Sequence, residues 1–247
     1  MKKSLIPILL LLIAIVGCNS KNNSNKFEVV HYTLNDSVLI EGAFGEEYSY
    51  YLVNADIPVT KNTNLKENII NWMLDGADKD YETYFEEKRD SFFDEEGDEP
   101  GSMLTSEYTL AEQTDLYVTY ISEGSVFTGG AHPMPWYFGT TFSKTDGSII
   151  GYDIFDVPEQ IVELVAEGIQ KQYFEPNNTA EEEYLIDMSE PFKLPTNQPW
   201  IEGGSVVFCY QPLEIESYSA GIPFCKIALD DLKPYLSAKG KELLNIE

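Results

Sequence analysis

Two strings near the start of the chain, FEVVHYTL at 27–34 and YSYYLVNADIPVT at 48–60, are rich in β-branched and aromatic residues with partial alternation, so both read as strands. The string behind them has another period. In NTNLKENIINWMLDG, Leu65, Ile69, Trp72 and Met73 recur at helical spacing, with Asn62 or Asn64 as the cap and Gly76 as the stop. A chain that passes from strand to helix periodicity within one short stretch must pack sheet against helix.

The rest of the chain continues this mixture. A second helix is expected over 80–93, with Tyr81, Tyr84, Phe85, Lys88 and Phe92 near one face, and Pro100-Gly101 ends the segment. Strand pairs are expected at 103–111 with 115–127 and at 136–142 with 148–154, turning at Gln113-Thr114 and at 144–147. Asp156 and Glu159 read as a capping box before an amphipathic helix at 157–174, whose Ile161, Leu164, Val165, Ile169 and Tyr173 share a face. A short helix over 179–187, strands at 204–210 and 222–228, and a C-terminal helix capped by Asp230 or Asp231 with Pro234 near its first turn complete the pattern. The fold class is α+β: two small domains, 27–130 and 131–247, joined near 127–133, each an antiparallel sheet packed against helices.

The N-terminus sets an expected location. Lys2 and Lys3 precede an apolar run from Leu5 to Val16, shorter than the ~20 residues of a spanning helix, so 1–17 reads as a signal peptide. Ile15-Val16-Gly17-Cys18 resembles a bacterial lipobox, which implies cleavage before Cys18, acylation of that cysteine and a lipid anchor in the cell envelope, on the periplasmic face or the cell surface. The polar string NSKNNSNK completes a flexible tether over 18–26.

Charge excludes one class of partner. The 16 Lys and Arg face 42 Asp and Glu, a formal net charge of −26, whereas a nucleic-acid binder needs a basic footprint to displace counterions from phosphates. Catalytic signatures are equally sparse. His31 and His132 have no acidic partner at metal-ligand spacing, and neither a glycine-rich phosphate loop nor a G-x-S-x-G elbow occurs. The acidic run DEEGDE at 94–99 lacks the order of a calcium loop and reads as solvated. No catalytic residue, metal or cofactor is assigned. An envelope hydrolase acting through Asp or Glu residues and a structural lipoprotein are the alternatives to a non-enzymatic binding module.

Two cysteines remain beyond Cys18. Cys209 and Cys225 lie in flanking strands, and in an oxidising compartment they read either as a disulfide or as a pair of buried free thiols.

Two connections carry the candidate binding residues. The segment 127–137 contains Gly129, Gly130, His132, Trp136 and Tyr137, with paired glycines for unusual backbone angles and two prolines stiffening the exit. The segment 210–221 contains Pro212, Glu214, Tyr218 and Gly221. Each reads either as a structural corner or as a recognition surface of aromatic residues on a rigid loop.

The string TGGAH at 128–132, the hairpin with Asp146-Gly147, and FCYQPLEIESYSAGIPFCKIALDDLKPYL at 208–236 resemble the extracytoplasmic region of the anti-sigma-V factor family. That family joins an N-terminal domain, also found ahead of peptidoglycan deacetylases, to a C-terminal domain of unknown function marked by a P-Y-E-I-x-x-Y-x-x-G stretch. Pro212, Glu214, Ile215, Tyr218, Ala220 and Gly221 match it, and Leu213 replaces its first tyrosine. The resemblance covers about 45–236 and is closer in the second half. It implies a receptor for lysozyme-type muramidases, and the function expected for the chain is a non-enzymatic, envelope-anchored binding module for a cationic protein or a cell-wall glycan. No sigma-binding segment or spanning helix precedes this region and no deacetylase domain follows it, so neither transmembrane signalling nor deacetylation is implied.

Overall fold

The computed structural model describes residues 27–42, 45–96, 99–177 and 191–246. The leader at 1–17, the tether at 18–26 with Cys18, the short helix expected over 179–187 and part of the acidic run at 94–99 lie outside the described residues.

The fold is α+β. Strands β1 (Glu28–Gly42), β2 (Gly45–Val59), β3 (Met103–Gln113), β4 (Tyr117–Phe127), β5 (Met134–Ser143) and β6 (Ile149–Ile150) hydrogen-bond in that order, and β7 (Trp200–Glu202), β8 (Ser205–Cys209) and β9 (Phe224–Ala228) form a second sheet. The expectation of wholly antiparallel sheets holds for β7–β9 and fails between β2 and β3, which pair in parallel from Tyr50 with Met103 to Ala55 with Tyr108. The cause is the connection. The chain returns to the start of β3 through two helices, α1 (Thr63–Met73) and α2 (Tyr81–Ser91), and a parallel pair requires such a crossover.

The chain divides into two compact units, one running to Leu110 and including Ser122–Pro135, the other comprising Ala111–Ile121 and Trp136–Glu247. The division passes through β3, β4 and β5.

In the first unit, β1 and β2 form a long antiparallel hairpin in which Tyr51, Val53, Ala55 and Ile57 point to a covered face. Helix α1 buries Leu65, Ile69 and Met73, and Asn62 caps it by accepting from the Leu65 N–H at 3.2 Å. Asp80 caps α2 in the same way, accepting from the Thr83 N–H at 2.9 Å. Aromatic pairs join these helices to the strands: Phe85 stacks on Tyr32 at 5.7 Å and Trp72 meets Tyr108 edge-on at 5.9 Å, while Phe92, at the C-cap of α2, lies 6.0 Å from Tyr51.

In the second unit, the β7–β9 sheet is covered on both faces. Ile201, Val206, Phe208, Cys225 and Ile227 join the core that receives Val165 and Ile169 of α3 (Val162–Ile169). Trp200, Val207 and Cys209 pack on the other face with Ile121 and Tyr137. The Trp200 ring lies against the backbone of β5 at Gly139, where a Cβ would approach Trp200 Cδ2 to 2.5 Å.

Two expected caps are absent. Pro158 opens a tight 3₁₀ turn, Pro158–Ile161, whose cap position is Val157 with no side-chain bond, so Asp156 and Glu159 form no capping box. Regular α-helix then runs only to Ile169 before widening over Gln170–Phe174. At the other site Ala228 occupies the cap position, which leaves Asp230 and Asp231 inside the single turn α4 (Leu229–Leu232), followed by a 3₁₀ turn containing Pro234. The C-terminal helix itself, α5 (Ala238–Leu244), starts later than expected; Ser237 caps it by accepting from the Gly240 N–H at 3.0 Å.

Candidate functional site

Gly129 and Gly130 both take positive φ, 102° and 95°, in the exposed turn between β4 and β5. A Cβ at either would meet nothing within 4 Å, so the turn selects glycine through backbone angle alone. His132 is exposed on the same turn, and these three residues belong to the first unit. Trp136 and Tyr137 are half-buried on β5 and belong to the second.

Tyr137 is held from two sides. Its ring meets Trp200 edge-on at 5.9 Å, and the Gln211 side-chain amide grips its backbone like a neighbouring peptide. The Gln211 Nε2 donates to the Tyr137 carbonyl at 2.8 Å, and Gln211 Oε1 accepts from the Tyr137 N–H at 3.3 Å. Gln172 grips Lys226 identically on the edge strand β9, at 3.0 and 2.9 Å, which occupies polar groups that an edge would otherwise offer to another chain.

The connection from Tyr210 to Gly221 is stitched to its own unit. Glu214 accepts the Thr196 N–H at 2.7 Å through one carboxylate oxygen and the Gln211 N–H at 2.9 Å through the other. Pro212 is half-buried beside Leu213, which stands out at 61% exposure with a positive φ of 70°. Tyr218 opens a 3₁₀ turn, Tyr218–Ala220, and Gly221 leaves it at φ 74°. There the Tyr173 hydroxyl donates to the Ala220 carbonyl at 2.7 Å, and a Cβ on Gly221 would lie 3.0 Å from that hydroxyl. Glu214 and Gly221 thus hold this connection as a hydrogen-bonded corner, with Pro212 and Tyr218 half-buried in it.

The disulfide reading of Cys209 and Cys225 is corrected: both are free and buried. In β8 and β9 Phe208 pairs with Cys225 and Cys209 pairs with Phe224. Directly opposed residues share a face and successive residues alternate, so the two sulfurs project to opposite sides of the sheet. The Cys209 thiol faces the Tyr137 carbonyl at 3.3 Å, and the Cys225 thiol faces the Val165 carbonyl at 3.8 Å. Burial pushes both thiols up to about 12.

The outer face of the β1–β2 hairpin carries residues that the sequence reading left unassigned. Leu39, Tyr48 and Tyr50 are 46%, 51% and 47% exposed, and the two tyrosine rings lie 6.0 Å apart, tilted by 40°. Further along this face His31 Nδ1 pairs with a carboxylate oxygen of Asp56, whose second oxygen accepts the Leu110 N–H at 3.0 Å. Alternation in YSYY was the available signal, but it could not say which phase faces the helices. Among the described residues no group of three or more His, Cys, Asp or Glu side chains is gathered as a metal would require.

No family model and no curated protein matches the chain. Solved structures do. A crystal structure of a DUF3298 family member from Bacteroides fragilis superimposes with a TM-score of 0.72 at 15% identity, covering 90% of this chain and 98% of that one. A DUF3298 family protein from Pseudomonas aeruginosa gives a TM-score of 0.61 at 20% identity, covering 87% and 96%. At these identities the likeness shows the fold, a domain of unknown function, and is consistent with the resemblance carried by residues 208–236.

Proposed function

We propose that this chain is an envelope-anchored, non-enzymatic binding module for a cationic protein, with lysozyme-type muramidases as the leading partner. The observation that carries the reading is the unneutralised acid of the molecule. The chain has 42 acidic against 16 basic residues, and among the described residues Lys79, Arg89, Lys171, Lys226, Lys233 and Lys239 are already engaged with carboxylates. The remaining field attracts basic proteins and repels acidic competitors. A neutral or anionic glycan gains nothing from it, which places cell-wall glycan second. Acylation of Cys18 would hold the module at the membrane where such partners arrive.

Surface plasmon resonance on the full-length chain tests this with hen lysozyme and, as a basic protein of another shape, cytochrome c. The lysozyme on-rate should fall steeply between about 0.05 and about 0.5 M salt as the Debye length shrinks to about 4 Å, while some affinity survives. Equal binding of both proteins, abolished by salt, would reduce the interaction to ion exchange.

A further inference from the structure

We propose that the outer face of the β1–β2 hairpin, centred on Leu39, Tyr48 and Tyr50 and rimmed by Glu41 and Glu46, is the docking surface for a basic protein segment. The proposal rests on the functional reading above and gives it a location.

Register defines the face. Leu39 pairs with Tyr48, Ser37 with Tyr50 and Glu41 with Glu46, and directly opposed residues share a side. The alternate phase is the covered one, where Tyr51 and Val53 are each 1% exposed. The centre of the open face is therefore apolar and aromatic at the positions where a merely solvated hairpin would place polar residues.

Charge selects the occupant. Glu41 and Glu46 sit directly across the strand pair, an arrangement that costs stability, and neither has an ion-pair partner among the described residues. Along this side of β1 and β2, and at the positions Met103, Thr105 and Glu107 that pair with β2, no lysine or arginine occurs. The one basic group on these positions, His31, is engaged by Asp56. A lysine or arginine arriving here gains the tyrosine faces and relieves the opposed glutamates together. A glycan would gain the ring contacts alone, and an anionic polymer would meet the glutamates.

The test uses the full-length chain and two variants, Tyr48→Ser/Tyr50→Ser and Glu41→Lys/Glu46→Lys, each checked for an unchanged melting temperature. Their side chains project away from the core, so both variants should fold. Hen lysozyme, cytochrome c and soluble muropeptides are the probes. The tyrosine variant should weaken lysozyme binding by about tenfold to a hundredfold, chiefly through faster dissociation. The charge reversal should slow association by about tenfold at low salt and much less at high salt. Unchanged lysozyme binding by both variants would overturn this surface while leaving the functional reading intact. A parent chain that binds neither basic protein would overturn both. Muropeptide binding that exceeds lysozyme binding and is lost with the tyrosines would overturn the choice of occupant.

Discussion

The hydroxyls of Thr119 and Thr141 lie 2.9 Å apart in the second unit with both residues at 0% exposure, and their surroundings determine which one donates. Thr119 gives its proton to the Ile201 carbonyl at 2.7 Å, and Thr141 accepts the Ile201 N–H at 2.8 Å. Thr141 must therefore donate to Thr119. The two side chains replace a missing strand neighbour for Ile201 of β7 and leave neither of its backbone groups unpaired.

Either Thr→Val substitution strands one buried backbone group of Ile201 and should cost about 1–3 kcal/mol in urea unfolding. The double variant should cost clearly less than the sum of the singles, because the two residues act as one network. Single variants within about 0.5 kcal/mol of the parent would show that the ring of bonds contributes little.

The thiols give a pH prediction. Burial raises Cys209 and Cys225 from an ordinary 9.0 to about 12 in the folded state. The folded chain then holds protons that the unfolded chain releases, so their contribution is complete below about pH 9 and is lost as pH rises toward about 12. Stability should decline over that window, and Cys209→Ala/Cys225→Ala should decline less. A thiol reagent should find both cysteines inert in the native protein and reactive in denaturant without reductant. A persistent bridge in unreduced, denatured protein would contradict their placement on opposite faces.

Gly221 and Tyr173 form a second coupled pair. Gly221→Ala puts an L side chain at φ 74° with its Cβ 3.0 Å from the Tyr173 hydroxyl, and should cost about 1–3 kcal/mol. Tyr173→Phe removes the bond to the Ala220 carbonyl and should cost about 1 kcal/mol. In the double variant the crowding is gone, so the total should fall below the sum. Strict additivity in thermal unfolding would argue that backbone angle alone selects this glycine.

The anchor is tested by Cys18→Ser. If Ile15-Val16-Gly17-Cys18 directs acylation, the variant should leave the membrane fraction for the soluble one while keeping its partner affinity. Full retention in the membrane would remove lipidation from the functional reading.

The sequence by itself determined what acts over a few residues. The strand alternation around 48–60, the helix spacing of Leu65, Ile69 and Met73, the Asn62 cap and the need for glycine at 129 and 130 all arise from local sterics and neighbouring hydrogen bonds. Local rules also misled where alternatives lay close together: Asp156, Asp230 and Asp231 had the right chemistry to cap, but Pro158 and the strand running through Ala228 set the boundaries elsewhere. Tertiary structure decided the rest. The parallel pairing of β2 with β3, the separation of Cys209 from Cys225 and the exposure of Tyr48 and Tyr50 all depend on register and on which face is buried. A one-residue change of phase moves every side chain of a strand to the other side, and only contacts between distant segments select the phase. The candidate residues at 129–137 and 212–221 were identifiable as special backbone, but the tyrosine face became visible only when β1 paired with β2 and the helices covered its reverse.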